Sequence, residues 1–152
     1  MYNAHTDTLP GSVAWLGYGG LLPFAGTVLA IVVDPHHAYL WSDALMAYGA
    51  VILSFVGALH WGFAMNLPSL DAGRRRACFI WSTVPALMAW PATLLVPLDA
   101  GVLLVTGFLL HYWQDRRLAA RARLPGWYLP MRLRLTVVAC ASLLAGALLV
   151  PA

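Results

Sequence analysis

The stretch Ser42–Asn66, SDALMAYGAVILSFVGALHWGFAMN, holds no formal charge after Asp43, and the one side chain there that readily protonates near neutral pH is His60. About 20 apolar residues cross a hydrocarbon core of about 30 Å, so the run is long enough for a membrane span and longer than a soluble core helix needs. Ala50, Ser54, Ala58 and Gly62 recur at every fourth position, a row of small side chains that lets another helix approach closely. Gly49, Leu53, Gly57 and His60 lie roughly opposite. A helix facing only lipid has no use for two such faces, so this one is expected in the middle of a bundle.

Composition agrees with that placement. With 61% hydrophobic residues, 10% charged and neither lysine nor glutamate among 152 residues, the chain cannot clothe a soluble core in polar surface. It reads as an integral membrane protein. Nine arginines set the net charge at +3, but they gather in two short clusters, which favours anionic lipid headgroups over nucleic acid. Cys78 and Cys140 fall inside spans without metal or redox spacing, so neither a disulfide nor a metal ligand is expected of them. The amino-terminal MYNAHTDTLPG lacks a basic n-region and a small-residue cleavage site, and is expected to be retained.

Read in order, the chain is a single all-α domain of five transmembrane helices over about 12–33, 42–65, 77–96, 100–118 and 132–150. Pro23, after Gly17, Gly19 and Gly20, should kink or unwind the first span. The turn DPHHAYLW (Asp34–Trp41) pairs Asp34 with His36 and His37, but adjacent histidines on a short loop lack the spacing of a dedicated metal site. Tyr39 and Trp41 suit an interface, and Ser42 or Asp43 a helix cap. Pro85 and Pro91 should bend the third span. Gly107, His111 and Asp115 stand four apart and share a face of the fourth. The loop Arg116–Arg134, RRLAARARLPGWYLPMRLR, is expected to lie on headgroups, with Arg116, Arg117, Arg121, Arg123, Trp127, Tyr128 and Arg132 touching lipid or a partner. Ala141 with Ala145 and Ser142 with Gly146 give the last span two pairs of small residues.

All nine arginines sit in, or at the edges of, the loops after the second and fourth spans. The positive-inside rule then puts the amino terminus in the cytoplasm and the carboxyl terminus in the periplasm.

No catalytic motif is visible: there is no GxSxG, no phosphate-binding glycine loop and no HExxH. A non-catalytic protein is expected. The ionisable candidates are His60, His111 and Asp115; helix rise places the two histidines in one layer, roughly 6 to 9 Å inside the arginine-bearing face, with Asp115 near the exit of the fourth span. Three uses are open to such a chain. One is association, as an accessory or assembly subunit of a larger inner-membrane complex. Another is a ligand, either haem b between His60 and His111 or a small molecule in a pocket lined by Trp61, Trp81, Trp90 and Trp113. The third is a proton or solute pathway through His60, His111 and Asp115.

Three ordered stretches, LGYGGLLPF, YGAVILSFVGALHWG (Tyr48–Gly62) and WYLPMRLRLT (Trp127–Thr136), resemble the signatures of the membrane-protein family called domain of unknown function 3429, whose animal members are called transmembrane protein 69. Val56 and Ala58 stand where that pattern has a leucine and a second glycine. The resemblance implies five spans and an inner-membrane location, in bacteria or in mitochondria, and the bacterial inner membrane is the location expected here. It implies no activity, substrate or cofactor. The positions it carries over are Trp61, Gly62, Trp127, Tyr128, Arg132 and Thr136.

Overall fold

The computed structural model describes residues 8–122 and 124–150. Among these every regular element is helical: α1 (Gly11–Gly19), α2 (Leu22–Val33), a 3₁₀ turn (Pro35–His37), α3 (Ala38–Asn66), α4 (Ala72–Ala92), α5 (Pro97–Ala119) and α6 (Tyr128–Leu148). Three stretches are long and apolar enough to cross a membrane, Gly11–Val33, Pro35–Asn66 and Tyr128–Leu148. Helices α4 and α5, with 21 and 23 residues, reach a similar length of roughly 30 to 35 Å, but carry arginines in an end turn.

The break in the first apolar stretch falls between Gly19 and Leu22, just ahead of Pro23, where a proline lacks the N–H that would continue the helix. The hydroxyl of Tyr48 on α3 donates to the carbonyl of Gly20 at 2.8 Å, so a backbone acceptor at the interruption is satisfied from the neighbouring helix.

Several boundaries differ from the sequence reading. Helix α3 begins at Ala38, four residues before Ser42, because the 3₁₀ turn seeded by Pro35 runs straight into it. Neither Ser42 nor Asp43 caps it. Ser42 is instead fully buried and donates to Gly146 O at 3.2 Å. The turn is tied by Asp34, which accepts from Trp41 Nε1 at 3.2 Å and pairs with His37 Nδ1 at 2.9 Å. The Trp41 donor first, and His37 after it, hold the Asp34 carboxyl below its ordinary range. Helix α4 starts at Ala72, capped by Asp71, whose carboxylate accepts from Arg74 N at 2.8 Å. It stops at Ala92, four residues short of expectation, as the chain turns through Thr93 toward Pro97. Helix α6 takes in Tyr128 to Met131, which the sequence reading left in a surface loop.

From α3 to α6 the contacts at the two ends order the helices. Ser42 meets Gly146 at one end of the bundle, and at the other Arg75 reaches the carbonyls of Ala64, Leu67 and Leu70 where α3 turns into α4. The described arginines therefore gather at a single end, in the first two turns of α4 and α6, the last turn of α5 and the turn after it that holds Arg121. Arg123 lies outside the described residues.

Helix α3 packs against α2, α4, α5 and α6. Its packed face is Gly49, Leu53, Gly57 and His60 rather than the row of small residues, since Ala58 and Gly62 are exposed. Leu53 fills the space a side chain on Gly107 would need, where a Cβ would come within 2.5 Å. The Pro85 ring of α4 lies on Gly57, 2.8 Å from where a Cβ would sit. A ring cannot swing aside as a leucine tip can. Gly57→Ala should therefore lower stability by about 1–3 kcal/mol in thermal unfolding of the detergent-solubilised protein. Gly62→Ala, whose Cβ would meet nothing within 4 Å, should leave the transition unchanged or raise it slightly through helix propensity.

Candidate functional site

Four helices bring their polar side chains to one buried point. His111 and Asp115, one turn apart, project from α5, His60 from α3, Trp81 from α4, and Tyr128 with Arg132 from α6. His60, His111 and Asp115 are wholly buried, and Arg132 is 6% exposed. Asp115 is the hub. One carboxylate oxygen accepts from the Tyr128 hydroxyl at 3.0 Å and the other from Arg132 Nε at 2.9 Å. The Nε2 atoms of His60 and His111 each stand 3.8 Å from the oxygen that Tyr128 binds, beyond hydrogen-bond range.

Trp81 sets the chemistry of His111. An indole nitrogen only donates, and Trp81 Nε1 lies 3.1 Å from His111 Nδ1. That ring nitrogen must be the acceptor, so the proton of the neutral imidazole sits on Nε2, turned toward Asp115. The two imidazoles meet edge to face with centroids 4.9 Å apart. Phe63 closes the side, edge to face with both His60 and Tyr128.

These contacts bear on the expected ligands. Haem b between His60 and His111 does not fit, because a macrocycle lying between two axial imidazoles holds the rings apart on its opposite faces, whereas here they touch. The tryptophan pocket does not form either. Trp61, Trp90 and Trp113 are 50%, 69% and 52% exposed, Trp61 resting edge-on against Phe79 and Trp113 lying under the Arg117 guanidinium at 4.5 Å. Only Trp81 turns inward. His60, His111 and Asp115 offer ligating atoms within 4.8 Å of one another. However, Arg132 already neutralises the carboxylate, so a divalent ion would bring two uncompensated charges into a low-dielectric site. Charge disfavours it.

Arg116, Arg117 and Arg121 are exposed at the arginine end, and Trp127 is half-buried beside Tyr128. Tyr128 and Arg132 correct the surface reading: both are buried and bonded to Asp115 because helix α6 begins early enough to turn them inward. The sequence did carry a signal for this, in the four-residue spacing of Tyr128, Arg132 and Thr136. Thr136 Oγ1, Arg132 Nη2, His111 Nε2 and both nitrogens of His60 have no hydrogen-bond partner among the described residues.

Long apolar helices fastened by a buried polar hub define a multi-pass helical membrane protein. A family model described as protein of unknown function (DUF3429) matches residues 9–148, and the chain belongs to that family. It is 39% identical over 140 residues to "Transmembrane protein 69" of Xenopus tropicalis, covering 88% of this chain and 53% of that one. It is 28% identical over 133 residues to the Mus musculus protein of the same name, with 86% and 53% covered. The chain thus spans about half the length of the curated relatives it matches. No solved structure matches it.

Removing the carboxylate alone leaves a buried guanidinium unpaired. Asp115→Leu should cost about 3–5 kcal/mol, and the double change Asp115→Leu with Arg132→Met should recover most of that loss, read as thermal unfolding in mild detergent. Tyr128→Phe, which removes one donor to a charged acceptor, should cost about 1.5–3 kcal/mol by the same measurement.

Proposed function

We propose that the chain is a five-span bacterial inner-membrane protein that works by association, as a non-catalytic accessory or assembly subunit of an energy-transducing membrane complex. The observation that carries this reading is how the polar groups are spent. Both oxygens of Asp115 are occupied by donors from α6, in a hub whose histidines and aspartate are fully buried. Such a carboxylate fastens helices. A general acid or base needs reach to a substrate proton.

Outside the hub, the bundle turns large apolar side chains outward on α3 and α4, among them Val51, Met65, Ile80 and Leu87. Lipid covers such a surface, and so does another membrane helix. Purification in mild detergent followed by mass spectrometry tests the reading: a stoichiometric membrane-protein partner is expected, and a chain that purifies alone from its native membrane with its own catalytic turnover would overturn it.

The arginine end is proposed to face the cytoplasm, with the amino terminus on that side and the carboxyl terminus in the periplasm. Reporter fusions at His36 and Ala152 should give the periplasmic signal and one at Gly73 the cytoplasmic signal. The reverse pattern would refute the orientation.

A further inference from the structure

A cavity of about 630 Å³ lies between α1, α2, α3 and α6, inside the range of about 300–1,000 Å³ typical of small-molecule sites. Its wall runs from Val13 to Phe24 along α1 and α2, and from Tyr128 to Ala139 along α6. At 1.5 Å per residue each run is roughly 16 Å long, about half of a hydrocarbon core of about 30 Å. The cavity therefore spans the depth of one leaflet, starting from the arginine end. Leu16 and Phe55, 80% and 63% exposed, belong to its lining, so it opens sideways, where lipid chains are.

The wall is apolar nearly throughout, and its exceptions follow one face of α6, spread over roughly 12 Å from the arginine end. Tyr128, Arg132 and Thr136 line it. Tyr128 and the Nε of Arg132 are committed to Asp115. Arg132 Nη2 and Thr136 Oγ1 are not: both are buried without a partner among the described residues, and an unsatisfied buried donor is costly enough that most such groups find an acceptor. Thr136 is 2% exposed and Arg132 6%, so this is a built polar strip and not a surface charge. Because Asp115 already balances the guanidinium, the acceptor it lacks need not carry a full charge. An oxygen at the level of a lipid ester or a fatty-acid carboxyl suffices.

We infer that this cavity binds one acyl chain ending in a carbonyl or carboxylate, taken from the leaflet on the arginine side. Its oxygens accept from Arg132 Nη2 and Thr136 Oγ1 at the level of Leu59, and its chain runs past Phe55 and Ile52 toward Phe24 and Ala139. The same chemistry is supplied by a free fatty acid or by one arm of a phospholipid.

Photo-crosslinking of the full chain in phosphatidylcholine vesicles tests this, using a diazirine-bearing palmitate in one arm and a diazirine-bearing phosphatidylglycerol in the other. Adducts mapped by mass spectrometry should concentrate on the lining of α1, α3 and α6 with at least one probe, and the arm that labels identifies the source. Leu59→Trp, which fills the cavity, should abolish those adducts. Thr136→Val, which keeps the shape and removes the hydroxyl, should reduce them roughly two- to tenfold. Adducts at Ile80 and Leu87 on the outer face of α4 should stay constant and report an inserted, folded protein. Labelling spread evenly over all lipid-facing helices with both probes, or cavity adducts that survive Leu59→Trp, would overturn the inference.

Discussion

The ion pair between Asp115 and Arg132 is the contact on which the arginine end of the bundle depends. Taking a carboxylate and a guanidinium out of water costs several kcal/mol per ion even after relaxation, so they persist at this depth only because each satisfies the other. Arg132 Nε covers one oxygen and the Tyr128 hydroxyl the other. The remaining neighbours follow from that neutrality. With the charges cancelled, His60 and His111 can sit against the carboxylate as neutral rings, and Trp81 can hold His111 in a single tautomer by donating to it.

Much of the architecture was legible in the sequence because lipid simplifies the code. Long uncharged runs set the helices, and Pro23 with its glycines announced the break that falls between Gly19 and Leu22. The spacing of Gly107, His111 and Asp115 gave the inner face of α5, since residues four apart stack on one side. What failed was the choice between two faces or two states. Both sides of α3 carry small residues, and which side packs was decided by shape, through the Pro85 ring on Gly57 and Leu53 on Gly107. The motif WYLPMRLR reads as a basic interfacial loop by composition. Its helical spacing makes it an α6 face, and the acceptor on α5, Asp115, decides that this face turns inward.

The tryptophans illustrate the same limit. Seven of them invite the idea of an aromatic pocket, yet an indole has an apolar body and a polar edge and is as well suited to a membrane boundary as to a ligand. Trp61, Trp90 and Trp113 stand outward, and Trp113 supports the Arg117 guanidinium. Trp81 differs only in having an acceptor, His111 Nδ1, within reach. Burial of an indole is decided by a partner for its N–H, which composition does not reveal.

The two ends of the bundle are held by different physics. Between helices in lipid the hydrophobic effect supplies little drive, because hydrocarbon is as good a neighbour as leucine. At the end away from the arginines, close packing does the work: Leu45 lies over Gly146, Leu143 over Gly49, and Ser42 donates across to α6. Such contacts favour proximity but discriminate weakly, since many helices present a glycine to a leucine. The polar hub discriminates. Among the other described helices, only α6 offers Asp115 a hydroxyl and a guanidinium four residues apart on one face. A misassembled bundle would strand both charges in hydrocarbon, so the pair that adds little net stability excludes the wrong neighbour at a cost the glycine contacts could not impose.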